Sequence, residues 1–149
     1  MSIEVTIALE ATNEIVDGLN RLLPQLSAHA APLSIADVQE LVRSEASTLF
    51  VARDGDEVIG TLTLVIFPIP TGERAWIEDV VVDAGARGRG VGELLTKVAI
   101  EEATRRAVRT IDLSSRPSRT AANALYRKLG FVERETNVYR FFIENRKTK

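Results

Sequence analysis

The chain has 149 residues, 45% of them hydrophobic and 27% charged, with a formal net charge of −2. This is the balance of an ordinary soluble domain long enough to bury a core, and it offers no electrostatic case for nucleic acid or an acidic membrane surface. Cysteine is absent, which excludes disulfides, thiolate metal sites and a cysteine nucleophile. No apolar run is long enough to span a bilayer and the first residues lack a basic stretch, so neither a membrane segment nor a signal peptide is expected, and the expected location is cytoplasmic. No repeat or linker interrupts the chain, and residues 1–149 are expected to form one domain.

Taken in order, residues 3–9 alternate Ile3, Val5, Ile7 and Leu9 against Glu4, Thr6 and Ala8, which predicts a strand. Asn13 is the expected cap of a first helix carrying Ile15, Val16, Leu19, Leu22 and Leu23, interrupted by Pro24. Ser34-Ile35-Ala36-Asp37 has the form of a capping box and opens a second short helix. His29, the only histidine, lies between them in a polar stretch, where a surface position is expected and no metal site can be assembled. Residues 48–53 predict a strand, Asp54-Gly55-Asp56 a turn, and residues 58–67 a long apolar strand that Pro68 ends. Residues 76–82 are β-branched and apolar and predict a buried strand.

Arg87-Gly88-Arg89-Gly90-Val91-Gly92 follows at once, and then a helix with apolar residues at Val91, Leu94, Leu95, Val98 and Ala99. Strand, glycine-rich turn and helix in that order direct backbone N–H groups and the positive end of a helix dipole at one point, which suits a phosphate or pyrophosphate. A Walker A loop requires Gly-Lys-Ser/Thr where Val91-Gly92-Glu93 stands, and the glycine spacing fails the dinucleotide fingerprint. Residues 110–114 predict a further strand. A last helix is expected to start at Ser115-Arg116-Pro117-Ser118, to face a core with Ala121, Ala122, Leu125 and Leu129, and to stop at Gly130. Residues 131–132 and 138–143 predict final strands, and 144–149 a charged, frayed tail. Asn123 and Tyr126 are three apart and so neighbours on one helical face. From the residues alone, that pair is either part of a site or a surface Asn beside a snorkelling Tyr.

The pattern Arg87-x-x-Gly90-x-Gly92 resembles the pyrophosphate loop of the GNAT superfamily of N-acetyltransferases. The later run Asn123-Ala124-Leu125-Tyr126-Arg127-Lys128-Leu129-Gly130-Phe131 is similar to the motif that family carries after the loop, with the Tyr one position earlier than in some members. The resemblance covers nearly the whole chain. It implies an α+β (mixed α/β) three-layer fold: a mixed, mostly antiparallel sheet of about six to seven strands with about four flanking helices. It also implies acetyl-coenzyme A as co-substrate, with Val80, Val81 and Val82 pairing with the pantetheine arm and Arg87, Gly88, Arg89, Gly90, Val91 and Gly92 holding the pyrophosphate. Asn123 would contact the coenzyme, and Tyr126 would protonate the departing thiolate. No metal is implied.

The acceptor implied is a small-molecule or peptide amine, attacked directly in a ternary complex. A homodimer is a possible assembly. Proton removal from the amine needs a carboxylate or an ordered water. Glu78, expected to share a strand face with Trp76, Val80 and Val82, is the candidate base, and water is the alternative. Asp79, on the opposite face, is expected to make a structural hydrogen bond. Among Arg105, Arg106, Arg109, Arg116 and Arg119, a solvated face is the ordinary reading, with one of them a candidate for the coenzyme's 3′-phosphate. The competing functional reading is a coenzyme A-binding regulatory domain with little catalysis. A purely structural domain is disfavoured by the backbone entropy that the glycine loop costs.

Overall fold

Alternation at the start of the chain produces β1 (Ile3–Ile7), and the elements that follow are α1 (Asn13–Leu26), α2 (Ile35–Arg43), β2 (Ser47–Asp54), β3 (Glu57–Ile69), β4 (Gly72–Val82), a short 3₁₀ turn (Ala84–Ala86), α3 (Val91–Arg105), β5 (Thr110–Asp112) and α4 (Thr120–Lys128). The computed structural model describes residues 2–143, which fall into two units, one up to Ser114 and one from Ser115 on. In the first unit the strands form one sheet in the order β1-β2-β3-β4-β5, with every pair antiparallel except β4–β5.

Pairing assigns the two faces of this sheet. Leu49 opposes Thr63 and Val51 opposes Thr61, and on that face Leu49, Val51, Val58 and Val81 join Ile15, Val16, Leu19, Leu22 and Val38 in one buried cluster, so α1 and α2 cover it. The other face carries Phe50, Gly60, Leu62 and Leu64, and α3 covers it with Val91, Leu95, Ala99 and Ala103, one residue per turn. Two glycines bring helices close. A Cβ at Gly18 in α1 would lie 2.8 Å from Val58 Cβ, and one at Gly60 would lie 3.1 Å from Val91 Cγ1 and 3.2 Å from Leu95 Cδ1. Gly60 thus lets the first turn of α3 sit against β3, and that turn carries the end of the glycine loop.

Several boundaries differ from the sequence reading. Thr12, not Asn13, caps α1, its hydroxyl accepting from Ile15 N–H at 3.2 Å, and α1 continues through Pro24 to Leu26. Pro68 lies inside β3 rather than ending it. Ile66 N–H donates to Ala46 on the β2 side, so the Pro68 nitrogen, two residues on, faces the same side, beyond the last β2 partner at Val65. Its missing donor therefore removes no ladder bond.

In the second unit, α4 begins at Thr120 instead of near Ser115. Proline disfavours the helical region for the residue before it, and residues 116–119 form a turn closed by Arg119 N–H to Arg116 carbonyl at 3.0 Å. Gly130, at φ +104, ends the helix as expected, with Phe131 N–H donating to Tyr126 carbonyl at 2.9 Å. Residues 131–132 and 138–143 form no strand, and Val132, Val138, Tyr139, Phe141, Phe142 and Ile143 are exposed. A β-prone run needs a neighbouring strand to satisfy its backbone, and none among the described residues pairs with these. The sheet therefore has five strands rather than six to seven. The expected tail at 144–149 lies outside the described residues.

Candidate active site

The first unit builds an opening at the end of β4. β4 and β5 pair only through Arg74–Thr110, Ala75–Ile111 and Trp76–Asp112, and beyond Trp76 no described strand pairs with the outer edge of β4. Arg74 donates to Asp112 at 2.8 Å, tying the strands together at these last rungs. Asp83 N–H donates to Ile59 carbonyl at 2.8 Å, so Val82, one residue earlier, turns its N–H and C=O toward the open edge.

Between these points β4 carries a bulge. Glu78 opposes Thr63 but Val81 opposes Thr61, so Asp79 and Val80 together face a single residue of β3. Asp79 sits in the left-handed region at φ 49. The extra residue exchanges the faces of everything after it. Trp76, Glu78 and Val81 share the α1 face, whereas Val82 opposes Gly60 on the α3 face. The expected alignment of Glu78 with Val80 and Val82 is therefore incorrect, because strict alternation does not survive a bulge. Glu78 and Asp79 are both exposed, and the Asp79 side chain makes no hydrogen bond among the described residues, against the structural bond expected of it. What distinguishes Asp79 is its backbone.

The glycine loop follows. Gly88 and Gly90 lie at φ +80 and +81, and a Cβ at either would meet nothing within 4 Å. Gly90 is the N-cap of α3 and no side chain caps that helix end, so the loop presents backbone donors of a helix start to open space. Arg87 is exposed. Arg89 is committed within the protein, its guanidinium 2.7 Å from Asp54 in the β2–β3 turn region. At the other end, Gln25 Oε1 accepts from Ala84 N–H at 2.9 Å and Gln25 Nε2 donates to Asp83 at 3.0 Å. Neither Gln25 nor Asp54 is recognisable from local sequence, since their partners stand 35 to 59 residues away.

In the second unit, Tyr126 is the buried residue of α4, 9% exposed, while Ala122, Leu125 and Leu129 are only half-buried and Ala121 is exposed. The ring meets Phe131 edge-on at 5.7 Å between centroids. A snorkelling surface tyrosine is thereby excluded. Burial raises the Tyr126 pKa above its already alkaline ordinary value, partly opposed by the Arg119 cation. Arg119 in this role was not singled out among the arginines by sequence. Asn123 Nδ2 donates to Arg116 carbonyl at 2.9 Å, folding the turn of 116–119 against the helix start. Of the other arginines, Arg105 and Arg106 pair with Glu102, and Arg109 donates to Thr71 carbonyl at 3.3 Å.

Among the described residues no three His, Asp or Glu side chains gather to hold a metal, and no helix is long and apolar enough to cross a membrane. The L-2,4-diaminobutyric acid acetyltransferase of Shouchella clausii is 39% identical over 82 residues, covering 55% of this chain and 46% of that protein. The glucosamine 6-phosphate N-acetyltransferase 1 of Oryza sativa is 38% identical over 71 residues, covering 48% and 41%. The chain thus spans about half or less of the length of these curated relatives. A solved structure titled as a transcriptional regulator from Bacillus halodurans superposes with TM-score 0.77 at 30% identity, covering 93% of this chain and all of that one. Residues 14–131, including both units' motifs, match the acetyltransferase (GNAT) family, and the chain belongs to it.

Proposed function

We propose that this chain is an acetyl-coenzyme A-dependent N-acetyltransferase acting on a primary amine by direct transfer, with residues 1–149 as its catalytic domain. The observation that carries this is the loop of residues 83–92. Its two left-handed glycines leave open space at the uncapped start of α3, where a pyrophosphate accepts backbone N–H groups. The unpaired edge of β4 at Val82 offers a pantetheine amide the partners a neighbouring strand would otherwise supply, and Val80 and Val81 shape that segment. The amine nitrogen attacks the thioester carbonyl, the C–S bond breaks, and the nitrogen loses a proton while the thiolate gains one. Glu78, exposed beside Trp76 on the α1 face, is the group assigned to attract the protonated amine and take its proton. Tyr126, a phenol whose proton burial makes harder to lose, is the acid assigned to the sulfur. Asn123 serves that helix through its bond to Arg116 and is the residue assigned to the coenzyme there.

The relatives' names specify amino-bearing acceptors, a diamino acid and an amino sugar phosphate, which supports a small amine here. A panel of amines assayed for free thiol released from acetyl-coenzyme A tests the proposal. Acceptor-dependent release is expected. The second reading, a coenzyme A-responsive regulatory module, draws on the likeness to a protein titled transcriptional regulator. Tight coenzyme A binding with no acceptor-dependent release would favour it.

A further inference from the structure

Gln25 lies one residue from the end of α1, exposed, on a helix that is itself held firmly. Gly18 brings α1 against Val58, Arg21 donates to Val58 carbonyl, and Asn20 closes a two-way amide clamp with Leu33, donating to its carbonyl at 2.9 Å and accepting its N–H at 2.8 Å. From this base the Gln25 amide meets the first two residues after β4, accepting from Ala84 N–H at 2.9 Å and donating to the Asp83 carboxylate at 3.0 Å. A primary amide presents one acceptor and one donor side by side, matching a backbone N–H next to a carboxylate. A carboxylate or an ammonium at the same reach would satisfy only one of the two. Asp83 N–H is simultaneously bound to Ile59 carbonyl at 2.8 Å. The chain leaving β4 is therefore pinned from the sheet and from α1 before it enters the glycines. At the far side of Gly88, the Arg89–Asp54 pair at 2.7 Å pins it again.

We infer that Gln25 is a positioning residue for the pyrophosphate loop: through Asp83 and Ala84 it preorganises the backbone donors of residues 87–92, so that α1 sets affinity for the coenzyme without touching it. This rests on the loop reading above. The gain is entropic, since a loop held in its binding shape loses less freedom when the ligand arrives.

The test compares two acetyl donors on the full chain, acetyl-coenzyme A and S-acetylpantetheine, which lacks the pyrophosphate. The readout is KM and kcat with an amine from the panel. In Gln25→Ala, KM for acetyl-coenzyme A should rise about tenfold for the loss of two exposed hydrogen bonds, while kcat and all parameters for acetylpantetheine stay unchanged. Gln25→Glu should raise that KM at least as far, because two carboxylates then face each other. Adding Asp83→Asn should restore it by returning one donor and one acceptor to the pair. Equal losses on both donors would make Gln25 a general structural residue and overturn the inference, as would an unchanged KM in Gln25→Ala or a double variant no better than Gln25→Glu. A wild type that does not distinguish the donors would overturn the pyrophosphate-loop reading itself, and the inference with it.

Discussion

Replacing Gly90 by Ala separates what the loop needs for folding from what it needs for its ligand. Gly90 stands at φ +81, and its added Cβ would meet nothing within 4 Å. The folded-state cost is therefore conformational alone, about 1–2 kcal/mol for an L-residue in the left-handed region. For a chain of this length that lowers Tm by roughly 2–8 °C. Gly55 provides the matched control, at φ +62 with equally open space but in the β2–β3 turn. Gly55→Ala should lose a comparable amount. Coenzyme A at about a hundredfold excess over Kd adds about 2.7 kcal/mol to a protein that binds it only when folded. Melting curves with and without coenzyme A should show that increment in wild type and in Gly55→Ala. In Gly90→Ala it should be absent, because the methyl group occupies the space through which the pyrophosphate approaches the helix start. An equal ligand-induced rise in all three proteins would refute the reasoning, and no rise in wild type would remove coenzyme A from this loop.

Tyr126→Phe should lower kcat by roughly 10²–10⁴-fold with KM for acetyl-coenzyme A little changed, as steady-state kinetics would show. The same variant has a stability signature. Burial raises the folded pKa of Tyr126 above its ordinary value of about 10, so its contribution is complete below that pH and is lost as pH rises through the raised value. Phe should flatten the alkaline fall of Tm by that amount. Glu78→Gln should reduce kcat/KM for the amine and shift the rising alkaline limb of the pH–rate profile while coenzyme A affinity stays intact; an unaltered profile would assign proton removal to water. Asp79→Asn should leave Tm nearly unchanged, since the side chain is exposed and Asn tolerates a positive φ, whereas Asp79→Val should lower it measurably in the same scan. Gly18→Ala gains about 1 kcal/mol of helix propensity but overpacks Val58 at 2.8 Å, which costs about 1–3 kcal/mol, and denaturant titration should find the variant less stable or neutral, never stabilised.

Local chemistry was enough to read much of this protein. The period-2 pattern of residues 3–9, which forms a strand as far as Ile7, the Ser34 to Asp37 capping box with both its hydrogen bonds, the turn at Gly55, the apolar stripe of α3 and the stop at Gly130 depend on residues within a turn or two of one another. The same holds for the loop at Gly88 and Gly90, whose left-handed conformations only glycine adopts without strain. Interactions between distant residues were not legible. The bulge at Asp79 arises where β4 must match β3, and a two-residue repeat read along one strand cannot register an insertion defined by its partner. The burial of Tyr126 depends on packing around α4, which a helical spacing by itself left open between a site and a surface residue. The strands expected at 131–132 and 138–143 show the converse: β propensity states a preference for a neighbour, and only the folded chain decides whether one is there. Gln25 and Asp54 hold the glycine loop from opposite sides across 58 and 35 residues of sequence, a relation that exists only once α1 and the β2–β3 turn have been brought to it by the core.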